Sequence, residues 1–242
     1  MNKRKKKTSV GIAICRINTD IKKREILLIK NRTTHSFSKF VFGNYKCNNN
    51  KEMNNLFNTM TVHEKLLIMN FNFQDLWDHI WLRQQEIKID HYNRCKNKYD
   101  KLNRTIILSM IYKSKSIDLA WEIPKGHPHD GESIIDCGIR EIKEETNVLS
   151  HDYTIIPEVV VNATYVNRTC IFLYQYLVAD YNNITNPLER HPGISLTNKD
   201  QVYEIDDLRW FTLDEMQQIT FQHTNFITYI RKIFTIHKLH SK

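Results

Sequence analysis

Residues 126–148 read GHPHDGESIIDCGIREIKEETNV, and the six residues 140–145 within them read REIKEE. Glu141, Glu144 and Glu145 stand three and four positions apart, so a helix places all three carboxylates on one face. Like charges at that spacing cost a helix stability. A chain of 242 residues with a net charge of +8 nevertheless crowds its negative charge here. An isolated surface helix gains nothing from that arrangement, so the acids call for a compensating positive charge.

The rest of the composition describes a folded protein. Apolar residues make up 41% and charged residues 26%, which excludes a disordered chain. At 242 residues the chain is long enough for a full core, as one large domain or a domain carrying an insertion. No apolar run approaches the ~20 residues that span a bilayer. The opening MNKRKKKTSVG lacks the apolar centre of a secretory signal. Cys15, Cys47, Cys95, Cys137 and Cys170 are scattered with no CxxC pair, as expected of reduced thiols in a cytosolic compartment. Positive charge is unevenly spread. The run Lys3–Lys7 reads as a solvated tail. Arg94, Lys96, Lys98, Lys101, Arg104, Lys113 and Lys115 share their segment with one acid, Asp100. They read equally as a solvated helix face and as a surface for a polyanion.

Periodicity divides the chain. Residues 8–17 and 24–32 are β-rich and form a hairpin in outline. Helical patterning follows. Thr61 and Glu64 make a capping box, and Asn72 is placed to cap a helix whose stripe is Phe73, Leu76, Trp77, Ile80 and Trp81. Those aromatics read as core. A third helix is expected from about Asp90 to Lys113, with Tyr92, Tyr99, Leu102, Ile106 and Met110 on its apolar side. Strand patterning returns at 117–126, a helix is expected at about 132–146, and 153–166 and 168–180 read as long strands. In the second, Ile171, Leu173, Gln175 and Leu177 alternate with Phe172, Tyr174, Tyr176 and Val178. Residues 181–200 read as a loop, 201–211 as a strand, and the chain closes with a short helix near 213–219 and a longer one from about Thr224 to His237. The expected fold is α+β, with an all-helical insertion at 36–116 between the early strands of a domain formed by 1–35 and 117–242.

The acidic stretch resembles the Nudix box, G-x5-E-x7-R-E-U-x-E-E-x-G-U with U aliphatic. Gly126, Glu132, Arg140, Glu141, Ile142, Glu144, Glu145 and Val148 match, and Asn147 replaces the last glycine. Its fixed identities would coincide by accident on the order of once in ten million starts. Asn tolerates the left-handed conformation that ends such a helix. The resemblance implies a Nudix α/β/α sandwich and a hydrolase for phosphoanhydrides, with Mg2+ or Mn2+ held by Glu141, Glu144 and Glu145 at the loop that begins with Gly126. Oxygen donors suit such ions. It further implies that Glu144 or Glu145 serves as general base and that Arg140 orients the carboxylates. A further carboxylate often comes from outside the box in this family. Glu204 resembles it, with Asp206, Asp207 and Glu158 as rivals. His127 and His129, beside the box, read as surface residues, and Cys137 as a small buried one.

Two more stretches resemble a branch of that family. WEIPKG (121–126) is similar to the entry to the box in decapping enzymes and diphosphoinositol polyphosphate hydrolases, where Lys125 would contact a phosphate. Residues 53–81 look like the helical domain of mRNA-decapping enzymes of large DNA viruses, among them poxviruses and African swine fever virus. This implies a virus-encoded enzyme of the host cytoplasm. It would cut the cap of capped RNA to give 7-methyl-GDP and 5′-monophosphate RNA. Arg94, Lys96, Lys98, Lys101 and Arg104 would grip the RNA body. A flat cationic base would stack on aromatic rings, with Phe42 and Tyr165 as first choices and Phe40 and Tyr45 behind them. Two alternatives stand beside this reading. One is a hydrolase of diphosphoinositol polyphosphates or dinucleoside polyphosphates, and the other an RNA-binding protein with a spent active site.

Overall fold

The computed structural model describes residues 4–82, 89–166, 170–182, 188–219, 221 and 225–240. It divides into two compact units, Met1–Lys30 with Ala120–Lys242, and Asn31–Leu119.

The first unit is built on a mixed sheet. Strand β1 (Lys5–Asn18) lies at its centre, between β2 (Lys23–Asn31) and β6 (Cys170–Tyr181). The β1–β2 pairing is antiparallel, with Cys15 opposite Ile26, and the β1–β6 pairing is parallel, from Lys5 opposite Cys170 to Cys15 opposite Asp180. Beyond β2 come β3 (Trp121–Glu122) and β7 (Ile205–Thr212); beyond β6 lies β5 (Tyr153–Val166); β4 (Lys125–Gly126) adds to β1. Both faces are covered, so β1 and β2 are apolar on both sides. Ile12, Ile14, Leu27 and Ile29 pack with Ile142 of helix α7 (Ile134–Thr146). Ala13, Cys15, Ile26 and Leu28 pack with Ile230 and Ile233 of helix α9 (Phe226–His240). The expected alternation of β6 holds: Tyr174, Tyr176 and Val178 face the α9 side and Leu177 the α7 side. Within β5 the register slips between Ile155 and Val160, around Pro157, which has no N–H for a ladder, and Glu158 at φ 60°.

The second unit is helical: α1 (His35–Val41), α2 (Asn50–Phe57), α3 (Val62–Asn70), α4 (Phe73–Trp81), α5 (Ile89–Asp100) and α6 (Arg104–Lys113). Side chains of Thr34, Asn49, Thr61, Asn72 and Asn103 cap five of these starts. Phe73, Leu76 and Trp77 are buried with Phe37, Phe40, Phe57 and Ile107 in one core, and Ile80 and Trp81 pack against it. Glu64 ties two caps together. It accepts from the backbone N–H and the hydroxyl of Thr34, at 2.5 and 2.8 Å, and from Thr61 N–H at 2.8 Å.

Four expectations are corrected. The cationic run is no loose tail from Lys5 onward: its backbone joins the ladder with β6 while Lys5 and Lys6 keep their side chains in solvent. Lys3 lies outside the described residues. The helix expected over 90–113 is two helices, because Asn103 caps a new start with its side chain on Ile106 N–H. The strand expected over 117–126 is confined to β3 and β4 around Pro124. The stretch 201–211 begins as helix α8 (Lys199–Glu204) and only then becomes β7. The expected start of the last helix at Thr224 lies outside the described residues.

Glu64→Ala leaves three cap donors without their acceptor. It is expected to cost about 2–3 kcal/mol of stability, read by urea unfolding followed through tryptophan emission. A loss below about 0.5 kcal/mol, the scale of an ordinary surface change, would show that the caps do not depend on Glu64.

Candidate active site

Helix α7 carries the acidic face because it is packed very closely on the sheet. A Cβ on Gly138 would meet Ile12 Cγ1 at 2.8 Å and Leu177 Cδ1 at 3.4 Å, so glycine lets the helix sit down on β1 and β6. Ser133 caps its start, and Asn147 ends it at φ 59°, in the left-handed conformation expected of the residue that replaces the family glycine. Cys137 and Ile142 are fully buried beneath it. Burial pushes the Cys137 thiol up to about 12, which fits its reading as an inert core residue.

Arg140 is the hub. Its Nε and Nη2 donate to the two oxygens of Glu132 at 2.8 and 3.0 Å, and its Nη1 donates to Glu141 at 2.6 Å and Glu144 at 3.1 Å. Nη2 also reaches the carbonyl of His127 at 3.1 Å, so the loop before the helix is tied to the same guanidinium. The fork geometry of arginine suits this bidentate grip. The guanidinium and the His129 N–H hold the Glu132 carboxyl down at about 2.

Gly126 lies against Glu141. A Cβ there would fall 2.0 Å from Glu141 Oε1, so any side chain at this position would displace the carboxylate. Glu145 is buried on the other flank and accepts from the Lys125 backbone N–H at 2.8 Å. Burial raises the Glu145 carboxyl well above its ordinary value, and raises Glu141 as well, even against the pull of Arg140. Glu204, the last residue of α8, is also raised, by burial and then by the charges of Glu141 and Glu144. It therefore belongs to the same field. Asp206 and Asp207 instead pair with Lys30, at 2.8 and 3.8 Å, and Glu158 sits on the β5 bulge.

Among the described residues no three His, Cys, Asp or Glu side chains converge on a single point. Arg140 stands between Glu132, Glu141 and Glu144, and Glu145 faces Lys125. The donor set is nonetheless all oxygen, with Glu141 and Glu145 buried, Glu144 partly open to solvent and Glu204 exposed. That suits Mg2+ or Mn2+ and not a soft metal. Glu141, Glu144, Glu145 and Glu204, with the Gly126 carbonyl, are the groups that would hold such an ion.

Three residues of the site were not foreseen. Glu122 forms an ion pair with Lys125 Nζ, with both side chains nearly closed to solvent, and Lys125 also lies over the Tyr174 ring at 5.6 Å. Lys125 is thus bound inside the protein, where the sequence suggested a phosphate contact; the E-x-x-K spacing was the available signal. Asn198 donates to the carbonyls of Lys143 and Glu144, and Gln201 to that of Glu145. These side chains satisfy the C-terminal carbonyls of α7 and fasten α8, hence Glu204, to it.

The other candidates lie as follows. Phe40 and Tyr45 are buried and stacked on each other at 5.5 Å, so they are core. Phe42 is partly buried among Trp77, Trp81 and His91, with ring centroids 5.8–5.9 Å away. Tyr165, in the other unit, is 43% exposed and lies 5.9 Å from Phe172. Of the basic cluster, Lys98 donates to the Gly43 carbonyl at 2.6 Å, and Arg104 closes the end of α3 through the carbonyls of Ile68 and Met69. Lys96 pairs with Asp100 at 2.5 Å. Arg94 and Lys101 are exposed.

Gly126→Ala should remove most of the upward melting shift that Mn2+ gives the native chain, each shift being measured from that chain's own metal-free melting temperature. An undiminished shift would separate Gly126 from the ion site. Because burial raises Glu141, Glu145 and Glu204, protons compete for the same oxygens. Ion affinity should therefore climb as pH rises from about 5 to 7, measured by calorimetry. A flat profile would contradict the assignment of these carboxylates.

The NUDIX domain pattern matches residues 102–230. The mRNA-decapping protein g5R of African swine fever virus, from a Kenyan pig isolate, is 32% identical over 220 residues, covering 88% of each chain. A protein of Acanthamoeba polyphaga mimivirus is 26% identical over 222 residues, covering 78% of this chain and 58% of its own. An Ap4A hydrolase structure from C. elegans overlays with a TM-score of 0.47 at 15% identity, over 95% of this chain and 96% of that one, too loose an overlay to bear on activity. With a domain pattern spanning more than half its length and a relative this similar along nearly all of it, the chain belongs to the Nudix family.

Proposed function

We propose that this Nudix enzyme hydrolyses the 5′ cap of mRNA in the cytoplasm of an infected host cell, with Mg2+ or Mn2+ as cofactor, releasing 7-methyl-GDP and 5′-monophosphate RNA. The observation that carries the proposal is the near full-length similarity to a viral protein named for mRNA decapping, in a chain that carries every carboxylate of the box. No helix among the described residues is long and apolar enough to cross a membrane.

The bound ion would neutralise phosphate charge and acidify a water molecule. The chain's own groups do the rest. Glu144 or Glu145 accepts the water proton at a carboxylate oxygen as the water attacks a phosphorus of the triphosphate bridge. Arg140 holds Glu141 and Glu144 in place through its Nη1, and Glu132 holds Arg140. The buried Glu122–Lys125 pair sets the backbone N–H that fixes Glu145. On the helical unit, Arg94 and Lys101 are the cations of the basic cluster best placed to meet RNA phosphates, because Lys98 and Arg104 already serve backbone carbonyls. Phe42 on the helical unit and Tyr165 on the sheet unit are each proposed, separately, as a ring for the cap base.

A second reading, hydrolysis of diphosphoinositol or dinucleoside polyphosphates, rests on the WEIPKG entry at 121–126. Turnover of capped RNA, free cap analogue and a diphosphoinositol polyphosphate, measured side by side, separates the two. Decapping predicts that RNA length increases turnover, and equal turnover of the free cap analogue would favour the second reading.

Glu145→Gln is expected to lower decapping at least about 100-fold with RNA affinity unchanged, measured with cap-labelled RNA and by filter binding. Retention of more than a tenth of the activity would remove Glu145 from the chemistry. Arg94→Glu with Lys101→Glu should weaken RNA binding uniformly across sequences and flatten its salt dependence by about one unit of slope for each phosphate no longer neutralised. An unchanged slope would move the RNA surface elsewhere.

A further inference from the structure

Helix α9 covers the face of the sheet opposite α7, and beside it lies a cavity that the hydrolytic site does not use. It is lined by Lys23, Arg24, Thr212, Leu213, Asp214, Arg231, Phe234, Thr235 and Lys238, and its volume is about 680 Å³. Four cations face one carboxylate there. Asp214 pairs with Lys23 at 2.7 Å, but both side chains are more than half exposed, so that pair is weak and readily exchanged. Arg24 donates Nε to His237 at 3.3 Å, and the far nitrogen of that buried imidazole lies 2.9 Å from Asp180. The imidazole therefore braces Arg24 from behind. Arg231 and Lys238 lie seven residues apart on α9, about two turns, and so share one side of the helix, and they form no ion pair among the described residues. The carbonyl end of α9 contributes only about half a negative charge. The cavity therefore stays strongly positive, and nothing in the fold explains holding these cations close together.

Its size falls within the range of small-molecule sites, roughly 300–1,000 Å³. It is an open basin with a phenyl floor, a shape suited to a compact anion and not to an extended strand. We infer that this cavity is a second binding site, separate from the acidic helix, for a small molecule carrying several adjacent phosphates. Arg24 and Arg231 offer forked donors to phosphate oxygens, Lys23 and Lys238 offer point charges at the rim, and the Thr212 and Thr235 hydroxyls can complete the shell. Phe234 gives an attached base or ring a face to lie on. The inference does not depend on the reaction proposed above.

Calorimetric titration of the full chain in EDTA tests it, because without a divalent ion the carboxylates of α7 repel anions. The probes are inorganic tripolyphosphate, ATP and a 12-nucleotide single-stranded RNA. Tripolyphosphate should bind with one-to-one stoichiometry, weaken with salt, and lose at least tenfold in affinity in Arg231→Glu/Lys238→Glu and, separately, in Lys23→Glu. All three are surface changes whose folding is checked by circular dichroism. Glu144→Gln should leave this binding intact. ATP binding tighter than tripolyphosphate would assign Phe234 to a base, and equal affinities would assign the site to the phosphates alone; both support the site. Tripolyphosphate binding that ignores both sets of variants would overturn it, as would loss confined to RNA binding, which would make the surface a nucleic-acid groove.

Discussion

The structure turns on the electrostatics of one helix. Several carboxylates are held on and around α7 in a partly buried setting, where they repel one another and where burial raises the Glu141 and Glu145 carboxyls above their ordinary value. Such a face persists only if something else pins it. The sheet pins it from below, through the close approach at Gly138. Arg140 pins it from the side, by a guanidinium shared among Glu132, Glu141 and Glu144. The β4 backbone pins it from the front, through the Lys125 N–H and the bare Cα of Gly126. The stability lost to repulsion is offset by core packing, and the repulsion that remains is what a bound cation would relieve.

The supporting parts follow from that need. Glu122 and Lys125 neutralise each other behind Glu145, where a lone buried charge of either sign would be costly. Asn198 and Gln201 satisfy the carbonyls at the end of α7 and bring Glu204 into the same field. The helical unit solves a separate problem. It encloses its own aromatic core around Trp77 and pins its helix starts with side-chain caps, so its stability does not derive from the acidic site.

Much of this was legible in the residues. Regular periodicity announced α4 and its core stripe, the alternation of β6, and α7 with its acidic face. The capping box at Thr61 and the cap at Asn72 were readable because they are local. What escaped reading was set at long range. Lys5–Lys7 form strand because Cys170–Phe172 offer them a partner, which charge and hydropathy do not reveal. Val202 and Tyr203 favour a strand, yet α8 forms because Asn198 and Gln201 reach α7. The break between α5 and α6 depended on weighing Asn103 as a cap against a hydrophobic pattern that runs through it. The inward turn of Lys125 toward Glu122 is likewise a matter of burial, and burial is not written in spacing.

The most direct measurement is a crystal of the chain soaked in Mn2+ and examined by anomalous scattering. The account predicts a peak within coordination distance of oxygens from Glu141 and Glu145 and of the Gly126 carbonyl, with the guanidinium of Arg140 still held by Glu132. Density elsewhere, or none at these oxygens at saturating Mn2+, would contradict it.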